Sequence, residues 1–286
     1  MPKSSTNALL RFAPSPNGLL HLGHAFSALY TWQAARQLGG VALLRMEDTD
    51  VERCKPEFAE AIVNDLNWLG LEWPEPVLVQ SERFEIYAAA ANRLRDRDLL
   101  YPCFCSRSEI AAAATEKDPD GAPLYPGTCK HLDRGIQIER LERGDPVQFR
   151  LHTDRAIAMV GLLTFSVSGP LVTDRPQIRY ARPERWGDVV LQRKGTPTSY
   201  HLSVVIDDAA QGITHVTRGR DMEAATDLHV LLQTLLGLTA PIYTFHKLIL
   251  DDAGKKLSKS QGSQSLAHLR ASGWAPDDIK RAVGIA

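Results

Sequence analysis

Apolar residues recur along the first hundred positions at two spacings, which predict strands alternating with helices. Short apolar runs at residues 9–12 and 41–46 are typical of buried strands. Between them, residues 21–38 carry apolar side chains at every third or fourth position, the spacing of an amphipathic helix. The same spacing predicts helices at residues 57–69 and 82–99. This alternation indicates the α/β class with a parallel, doubly wound sheet.

The pattern stops at Tyr101, where a stretch of different composition begins. Residues 101–195 contain a cysteine cluster, an alanine-rich helix, Pro- and Gly-rich loops and short strand-like pieces. We interpret this stretch as an inserted α+β subdomain between two halves of the sheet domain, residues 1–100 and 196–245.

The second half is expected to continue the sheet. Residues 204–207 are predicted to form a strand, and residues 221–236 an amphipathic helix. Residues 246–286 are expected to hold a lysine-rich loop and a short helical tail.

The net charge of the chain does not indicate a nucleic-acid partner. The 286 residues include 33 Lys and Arg against 34 Asp and Glu, a formal net charge of −1. Contact with RNA would therefore need a local basic patch. One candidate patch, residues 175–194, contains Arg175, Arg179, Arg182, Arg185, Arg193 and Lys194 beside Glu184 and Asp188. The alternative is a solvated loop face with no partner.

The chain is expected to stay in the cytoplasm. It has no apolar run of the roughly 18 residues that a membrane span needs, and its N-terminus lacks the apolar core of a signal peptide. Four cysteines in a cytoplasmic chain favour metal binding or burial over disulfides.

The loop at residues 14–20 and the start of the helix after it form the first candidate site. Helix N-termini offer unpaired N–H groups and partial positive charge, which suit phosphate binding. His21 and His24 lie one turn apart and can donate to phosphate oxygens, and Gly23 leaves room for a nucleotide. Two surface histidines are the alternative, since HxxH alone is a weak signal.

The second candidate site is the segment 255–260, KKLSKS. Lysines in a flexible Gly/Ser loop can close over a polyphosphate and neutralise its developing charge, which suggests a role for Lys256 and Lys259. A basic surface loop is the alternative interpretation.

A third candidate site is a metal centre. Cys103, Cys105 and Cys129 form a plausible structural zinc site, and zinc chemistry alone favours His131 as the fourth ligand. Buried free cysteines are the alternative. Cys54 is isolated and is expected to be structural or inert.

HLGH near the start and KLSKS near the end resemble, in this order, the two signatures of class I aminoacyl-tRNA synthetases. The segments RFAPSPNG at 11–18, RMEDTD at 45–50, YHL at 200–202 and VIDD at 205–208 are similar to the glutamyl subgroup. This resemblance implies a Rossmann-type catalytic domain that activates L-glutamate with ATP and Mg²⁺. It further implies a zinc-containing, acceptor-binding-like insertion.

The resemblance also implies the site residues. The catalytic set is His21, His24, Lys256 and Lys259, and the ATP contacts are Arg11, Ser15, Gly23 and Lys259. The glutamate contacts are Arg11, Ala13, Ser15, Glu47, Tyr200 and Arg218. Glu47 would hold the substrate ammonium and Arg218 the side-chain carboxylate. A surface pair with Asp221 is the alternative for Arg218.

The family pattern places a tyrosine in the metal site, so the implied ligands are Cys103, Cys105, Tyr125 and Cys129. His131 remains the second choice as fourth ligand.

Residues 261–286 are too few for the C-terminal helical domain that full-length glutamyl-tRNA synthetases carry. The chain therefore resembles the short paralogue family, the glutamyl-queuosine tRNA(Asp) synthetases. Membership would imply tRNA-independent formation of glutamyl-adenylate and transfer to queuosine in the anticodon loop of tRNA(Asp). Separately, we expect the protein to be a monomer. The alternatives are a truncated synthetase that charges a tRNA 3′ end and an inactive synthetase-like binding module.

Two positions depart from the full-length pattern. Asn17 stands where a threonine is usual, which is a mild change. Val204 stands where those enzymes carry asparagine, and the lost hydrogen bond predicts weaker binding of glutamate.

Overall fold

A computed structural model of the protein describes residues 7–169, 171–250 and 264–285. The strands of this part of the chain are β1 Leu9–Phe12, β2 Val41–Met46, β3 Leu78–Val79, β4 Leu100–Cys103, β5 Gln148–Leu151, β6 Thr164–Val167, β7 Gln177–Tyr180, β8 Val190–Gln192, β9 His215–Gly219 and β10 Ile242–His246. The helices are α1 Leu22–Gln37, α2 Pro56–Trp68, α3 Phe84–Arg95, α4 Arg107–Ala113, α5 Arg134–Glu142, α6 Thr153–Val160, α7 Tyr200–Ala210, α8 Ala225–Leu236, α9 Leu266–Ala271 and α10 Pro276–Val283.

The first half of the chain forms a parallel sheet in the order β1-β2-β3. Helix α1 connects the first two strands and α2 the next two, as the apolar spacing predicts. Gly40 precedes β2 at a tight approach between chain segments, because a Cβ there would lie 2.0 Å from the Ala8 carbonyl oxygen. The predicted α/β class with a parallel sheet is confirmed.

The second sheet has the order β7-β6-β10-β9, with β6, β10 and β9 parallel and β7 antiparallel at the edge. It meets the first sheet at Thr214, whose N–H donates to the Leu9 carbonyl at 2.9 Å. The Leu9 N–H in turn donates to Thr214 Oγ1 at 2.9 Å. Strands β1 and β9 therefore lie side by side, and a cleft opens at their carboxyl ends.

Residues 101–195 contribute to two places in the fold. Strands β4, β5 and β8 form a separate antiparallel sheet. Helices α4 and α5 lie between β4 and β5 in the sequence. Strand β6 instead pairs in parallel with β10 through Val167 and Tyr243. The stretch interpreted as an insertion thus also supplies two strands of the second sheet, β6 and its antiparallel edge neighbour β7. The proposed domain boundaries stay a prediction.

The predicted strand at residues 204–207 is wrong, because these residues belong to helix α7. Helix α7 packs against α3 and α8, so Val204, Val205 and Ile206 are all buried although they are consecutive. The sequence pattern of a short, fully buried apolar run does not distinguish a strand from a core helix, because neither shows a periodic change between apolar and polar residues.

Asp207 on α7 ties the two halves of the fold together. Its fully buried carboxylate accepts hydrogen bonds from Gln80 Nε2 (2.8 Å), Arg83 Nε (2.8 Å) and Tyr87 Oη (2.6 Å). All three donors lie at or just before α3, so this carboxylate fixes α7 against the first half of the chain.

Within the described residues, no helix combines the length and apolarity that a membrane crossing requires.

Replacing Asp207 with Asn should lower the free energy of unfolding by about 2–4 kcal/mol, since Arg83 then keeps a largely buried charge without its partner. Urea unfolding measures the change. Asp277→Asn is the control, because Asp277 forms an exposed pair with Lys280 (2.9 Å) and its loss should have no measurable effect. An equal free energy of unfolding for the two variants would contradict the proposed stabilising role of the Asp207 carboxylate.

Candidate active site

A cavity of about 640 Å³ opens at the carboxyl ends of β1, β9 and β10 and at the start of α1. All six residues predicted to contact glutamate line it, namely Arg11, Ala13, Ser15, Glu47, Tyr200 and Arg218. Residues separated by as many as 207 positions in the chain are therefore brought to one pocket. Their individual roles stay predictions.

His21, Gly23 and His24 line the same cavity, where α1 begins. His21 is the N-cap, and its Nδ1 accepts from the Gly23 N–H at 3.1 Å. His24 Nδ1 accepts from the His21 N–H at 3.2 Å, and the two rings lie 3.9 Å apart. Both rings are thus fixed by the first turn, with the proton of each neutral imidazole on Nε2. A Cβ at position 23 would lie 2.9 Å from the His21 ring, so the glycine makes room for this cap.

Lys256 and Lys259 lie outside the described residues. The residues on either side of that segment are placed beside the cavity. Ile249 lines it, and the Leu266 N–H donates to the Leu20 carbonyl at 2.8 Å, immediately before His21.

Asp208 forms ion pairs with two arginines, of which Arg11 lines the cavity. Its Oδ1 lies 2.8 Å from Arg11 Nε and 2.7 Å from Arg45 Nη2. Burial opposes ionisation of Asp208, but the two guanidinium groups outweigh it and hold the pKa of its carboxyl below the usual value. Asp208 and Arg45 were not among the predicted site residues, and only their place in the motif segments marked them.

Glu47 lies next to this group, with Oε1 3.3 Å from Arg45 Nη2. Burial raises the pKa of Glu47, and the charges of Arg45 and Arg11 oppose that shift. Arg11, Arg45, Glu47 and Asp208 together carry two positive and two negative charges, so their formal charges balance.

Arg218 at the end of β9 has different surroundings. It is 7% exposed, and no carboxylate oxygen of the described residues lies within 4.0 Å of its guanidinium, so a surface pair with Asp221 is not observed. Nη1 donates to the Met222 carbonyl at 3.4 Å, and the guanidinium carbon lies 4.9 Å from the centre of the Tyr243 ring. Nε is buried with no hydrogen-bond partner in the described residues. Burial raises the pKa of Tyr200, which lines the same cavity, to about 12, so this phenol stays neutral.

The two positions that depart from the full-length pattern lie in different surroundings. Asn17 lines the cavity. Val204 is 1% exposed, packs in the hydrophobic core and is not among the residues that line the cavity.

The three clustered cysteines meet between β4 and the loop at residue 129. Their sulfur atoms all lie within 4.8 Å of one another, and Cys105 Sγ is 3.5 Å from Cys129 Sγ. Two ligands of a tetrahedral zinc with bonds of about 2.3 Å lie about 3.8 Å apart, so the cluster fits this ion. Tyr125 Oη lies 3.4 Å from Cys103 Sγ, whereas His131 is exposed and its ring is not part of the cluster.

Most charges of the candidate basic patch have acidic partners within the protein. Arg179 pairs with Glu223, Arg182 with Glu184 (3.3 Å), Arg185 with Asp227 (2.6 Å) and Arg193 with Asp50 (3.9 Å). Lys194 donates to the Phe104 carbonyl at 3.1 Å. The patch therefore offers little unbalanced positive charge.

Known proteins resemble this chain over nearly its whole length. A family model described as the catalytic domain of class I tRNA synthetases (E and Q) matches residues 8–284. A Glutamyl-Q tRNA(Asp) synthetase from Rhodobacter capsulatus is 47% identical, over 97% of this chain and 100% of the relative. Another, from Symbiobacterium thermophilum, is 38% identical over 94% of this chain and 83% of the relative.

A solved structure agrees with these matches. The glutamate tRNA ligase from Elizabethkingia meningosepticum, in complex with its amino acid, superposes with a TM-score of 0.74 at 28% identity. The superposition covers 97% of this chain and 60% of the ligase, so the chain spans less than two thirds of that protein.

Proposed function

This chain belongs to the class I tRNA synthetases of the E and Q group and is a ligase of the aminoacyl-tRNA synthetase type, and we propose that it activates L-glutamate with ATP and transfers the glutamyl group to the queuosine base of tRNA(Asp). The family membership and the cavity support the first reaction. The names of the relatives support the acceptor, because three of them are Glutamyl-Q tRNA(Asp) synthetases of which this chain covers 81–100%.

The observation that carries the choice of amino acid is the charge pattern of the cavity. Arg218 is a buried cation with no carboxylate partner in the described residues, and Glu47 lines the same cavity. An acidic amino acid supplies the complementary charges, with its side-chain carboxylate on Arg218 and its ammonium on Glu47. Tyr200 and the backbone at Ala13 would complete the amino-acid side of the pocket, with Arg11 and Ser15 between the amino acid and the nucleotide.

In the first step, an oxygen of the glutamate α-carboxylate attacks the α-phosphorus of ATP. The bond from that phosphorus to the bridging oxygen breaks, and pyrophosphate leaves as glutamyl-adenylate forms. His21 and His24 would donate to phosphate oxygens from the start of α1, and Gly23 would let the nucleotide approach that helix. Lys256 and Lys259 would add positive charge from the segment whose described neighbours lie beside the cavity. Magnesium bound to ATP would neutralise further phosphate charge.

In the second step, a hydroxyl of the cyclopentene ring of queuosine attacks the carbonyl carbon of the adenylate. The carbon–oxygen bond to AMP breaks, and the hydroxyl proton is released as the ester forms. No protein nucleophile is needed in either step, so catalysis depends on positioning and on stabilisation of charge.

We further propose that Cys103, Cys105, Cys129 and Tyr125 hold one structural zinc ion. The ion would connect β4 to the loop at residue 129 and so stabilise the small antiparallel sheet.

Purified protein should catalyse exchange between ATP and labelled pyrophosphate with glutamate in the absence of any RNA, and should exchange poorly with glutamine. Arg218→Ala should raise KM for glutamate by at least about a hundredfold, because a desolvated carboxylate loses its pair. His215→Ala is the matched control, since His215 lies on the same strand but does not line the cavity. Exchange that requires added tRNA would contradict the proposed tRNA independence.

Metal analysis should find about one zinc per chain, and the double change Cys103→Ser with Cys129→Ser should remove it. Cys54→Ser should retain the metal, because Cys54 is not part of the cluster. Tyr125→Phe should weaken zinc binding, whereas His131→Ala should not, and the reverse result would identify His131 as the fourth ligand. A folded wild-type protein without metal would refute the site.

Glutamylation of queuosine-containing tRNA(Asp) should continue after the 3′ CCA end is removed, because the proposed acceptor is a hydroxyl in the anticodon loop. The matched control is the same tRNA without queuosine, which should accept no glutamate. Activity that is lost with CCA and is independent of queuosine would favour charging of a 3′ end. The glutamate–tRNA ligases that are 38% identical to this chain make that the second candidate.

A further inference from the structure

His229 on α8 is the main polar neighbour of Arg218. Its Nδ1 lies 3.2 Å from both Nη1 and Nη2 of the guanidinium, and the side chain is 1% exposed. A guanidinium only donates hydrogen bonds, so Nδ1 of His229 must be the acceptor. Two terminal nitrogens directed at one atom fix the plane and the direction of the guanidinium.

His201 on α7 fixes the protonation of His229 in turn. His229 Nε2 lies 3.2 Å from His201 Nδ1. Because Nδ1 of His229 accepts from Arg218, a neutral ring carries its proton on Nε2 and donates it to His201. The hydrogen bonds therefore run in one direction, with Arg218 donating to His229 and His229 donating to His201.

The imidazole of His229 stays uncharged in this position. Burial lowers the pKa of His229 well below its usual value, and the positive charge of Arg218 lowers it further. For the same two reasons the pKa of His201 falls to about 4. Arg218 is thus oriented by a group that brings no negative charge.

Orientation without neutralisation distinguishes Arg218 from Arg11 in the same cavity. Arg11 is oriented by the carboxylate of Asp208 at 2.8 Å, which also offsets its charge. A carboxylate in place of His229 would hold Arg218 equally well as an acceptor, but it would compete with the carboxylate of a ligand. A neutral acceptor keeps the full positive charge available.

We propose that His229 is a positioning residue that makes the pocket selective for an acidic side chain, by orienting Arg218 through a neutral acceptor, and that His201 holds it in the tautomer this requires. The inference deepens the proposed activation of glutamate and rests on it.

The test compares four forms of the full chain by glutamate-dependent pyrophosphate exchange: wild type, His229→Asn, His229→Asp and His229→Leu. Asn keeps a neutral acceptor near the position of Nδ1, Asp keeps an acceptor but adds a charge, and Leu has no acceptor. KM for glutamate should rise by about tenfold or more in the Leu variant, and Asn should restore most of this loss. In the Asp variant KM should exceed that of Asn by more than about tenfold. KM for ATP should stay unchanged in all four.

Asn and Asp have nearly the same size, so their comparison separates charge from packing. His215→Leu controls for the loss of a partly buried imidazole at another place in the protein, on β9. Thermal unfolding verifies that every variant is folded. Equal KM values for glutamate in the Asn and Asp variants would overturn the requirement for neutrality. A Leu variant with the wild-type KM would overturn the positioning role. Wild-type protein that exchanges with no acidic amino acid would overturn the proposed function itself, which the other two outcomes leave intact.

Discussion

No carboxylate of the described residues pairs with Arg218, and this buried charge is the constraint on which the rest of the cavity depends. Arg11 and Arg45 lie beside Asp208 and Glu47, so the protein itself matches those two charges. Arg218 is equally buried, and an isolated buried cation is destabilising by several kcal/mol. Its surroundings reduce that cost with dipoles and an aromatic face, which are the ring of His229, the Met222 carbonyl and Tyr243. None of these groups removes the charge, so the carboxylate proposed to bind there would complete an interaction for which the protein is already arranged.

Helix α7 connects this arrangement to the fold. Asp207 and Asp208 are consecutive, and successive residues of a helix point about 100° apart. Asp207 therefore accepts from the segment at residues 80–87, whereas Asp208 reaches the arginines of β1 and β2. The first turn of the same helix carries Tyr200 and His201. A rigid element that is fixed to both halves of the chain holds one wall of the cavity, which is how a pocket keeps its geometry without its ligand.

Much of the fold follows from local pattern, whereas the site follows only in part. Strands β1 and β2 and helix α1 lie within a residue or so of the predicted bounds, since each combines a clear period with a clear end. Helix α7 was mistaken for a strand because burial on all sides removes the period that distinguishes the two. The cavity residues were identified through motif resemblance. Asp208 and His229 were not predicted as site residues, because their importance depends on partners that are not their neighbours in sequence. The fold brings Arg11 next to Asp208 and Arg218 next to His229.

The neutral support of Arg218 also explains how such a cavity could reject an uncharged analogue of nearly identical shape. An amide in place of the side-chain carboxylate would direct N–H donors at a guanidinium that has only donors to offer. One polar contact would then be lost and a buried charge would remain unmatched, and a site of this kind discriminates far more strongly than one that measures size alone. If Arg218 were already paired with an internal carboxylate, the difference between the two ligands would shrink, because neither would supply the missing charge. The proposed selectivity for an acidic side chain would therefore depend on the lack of a carboxylate partner for Arg218 among the described residues as much as on Arg218 itself.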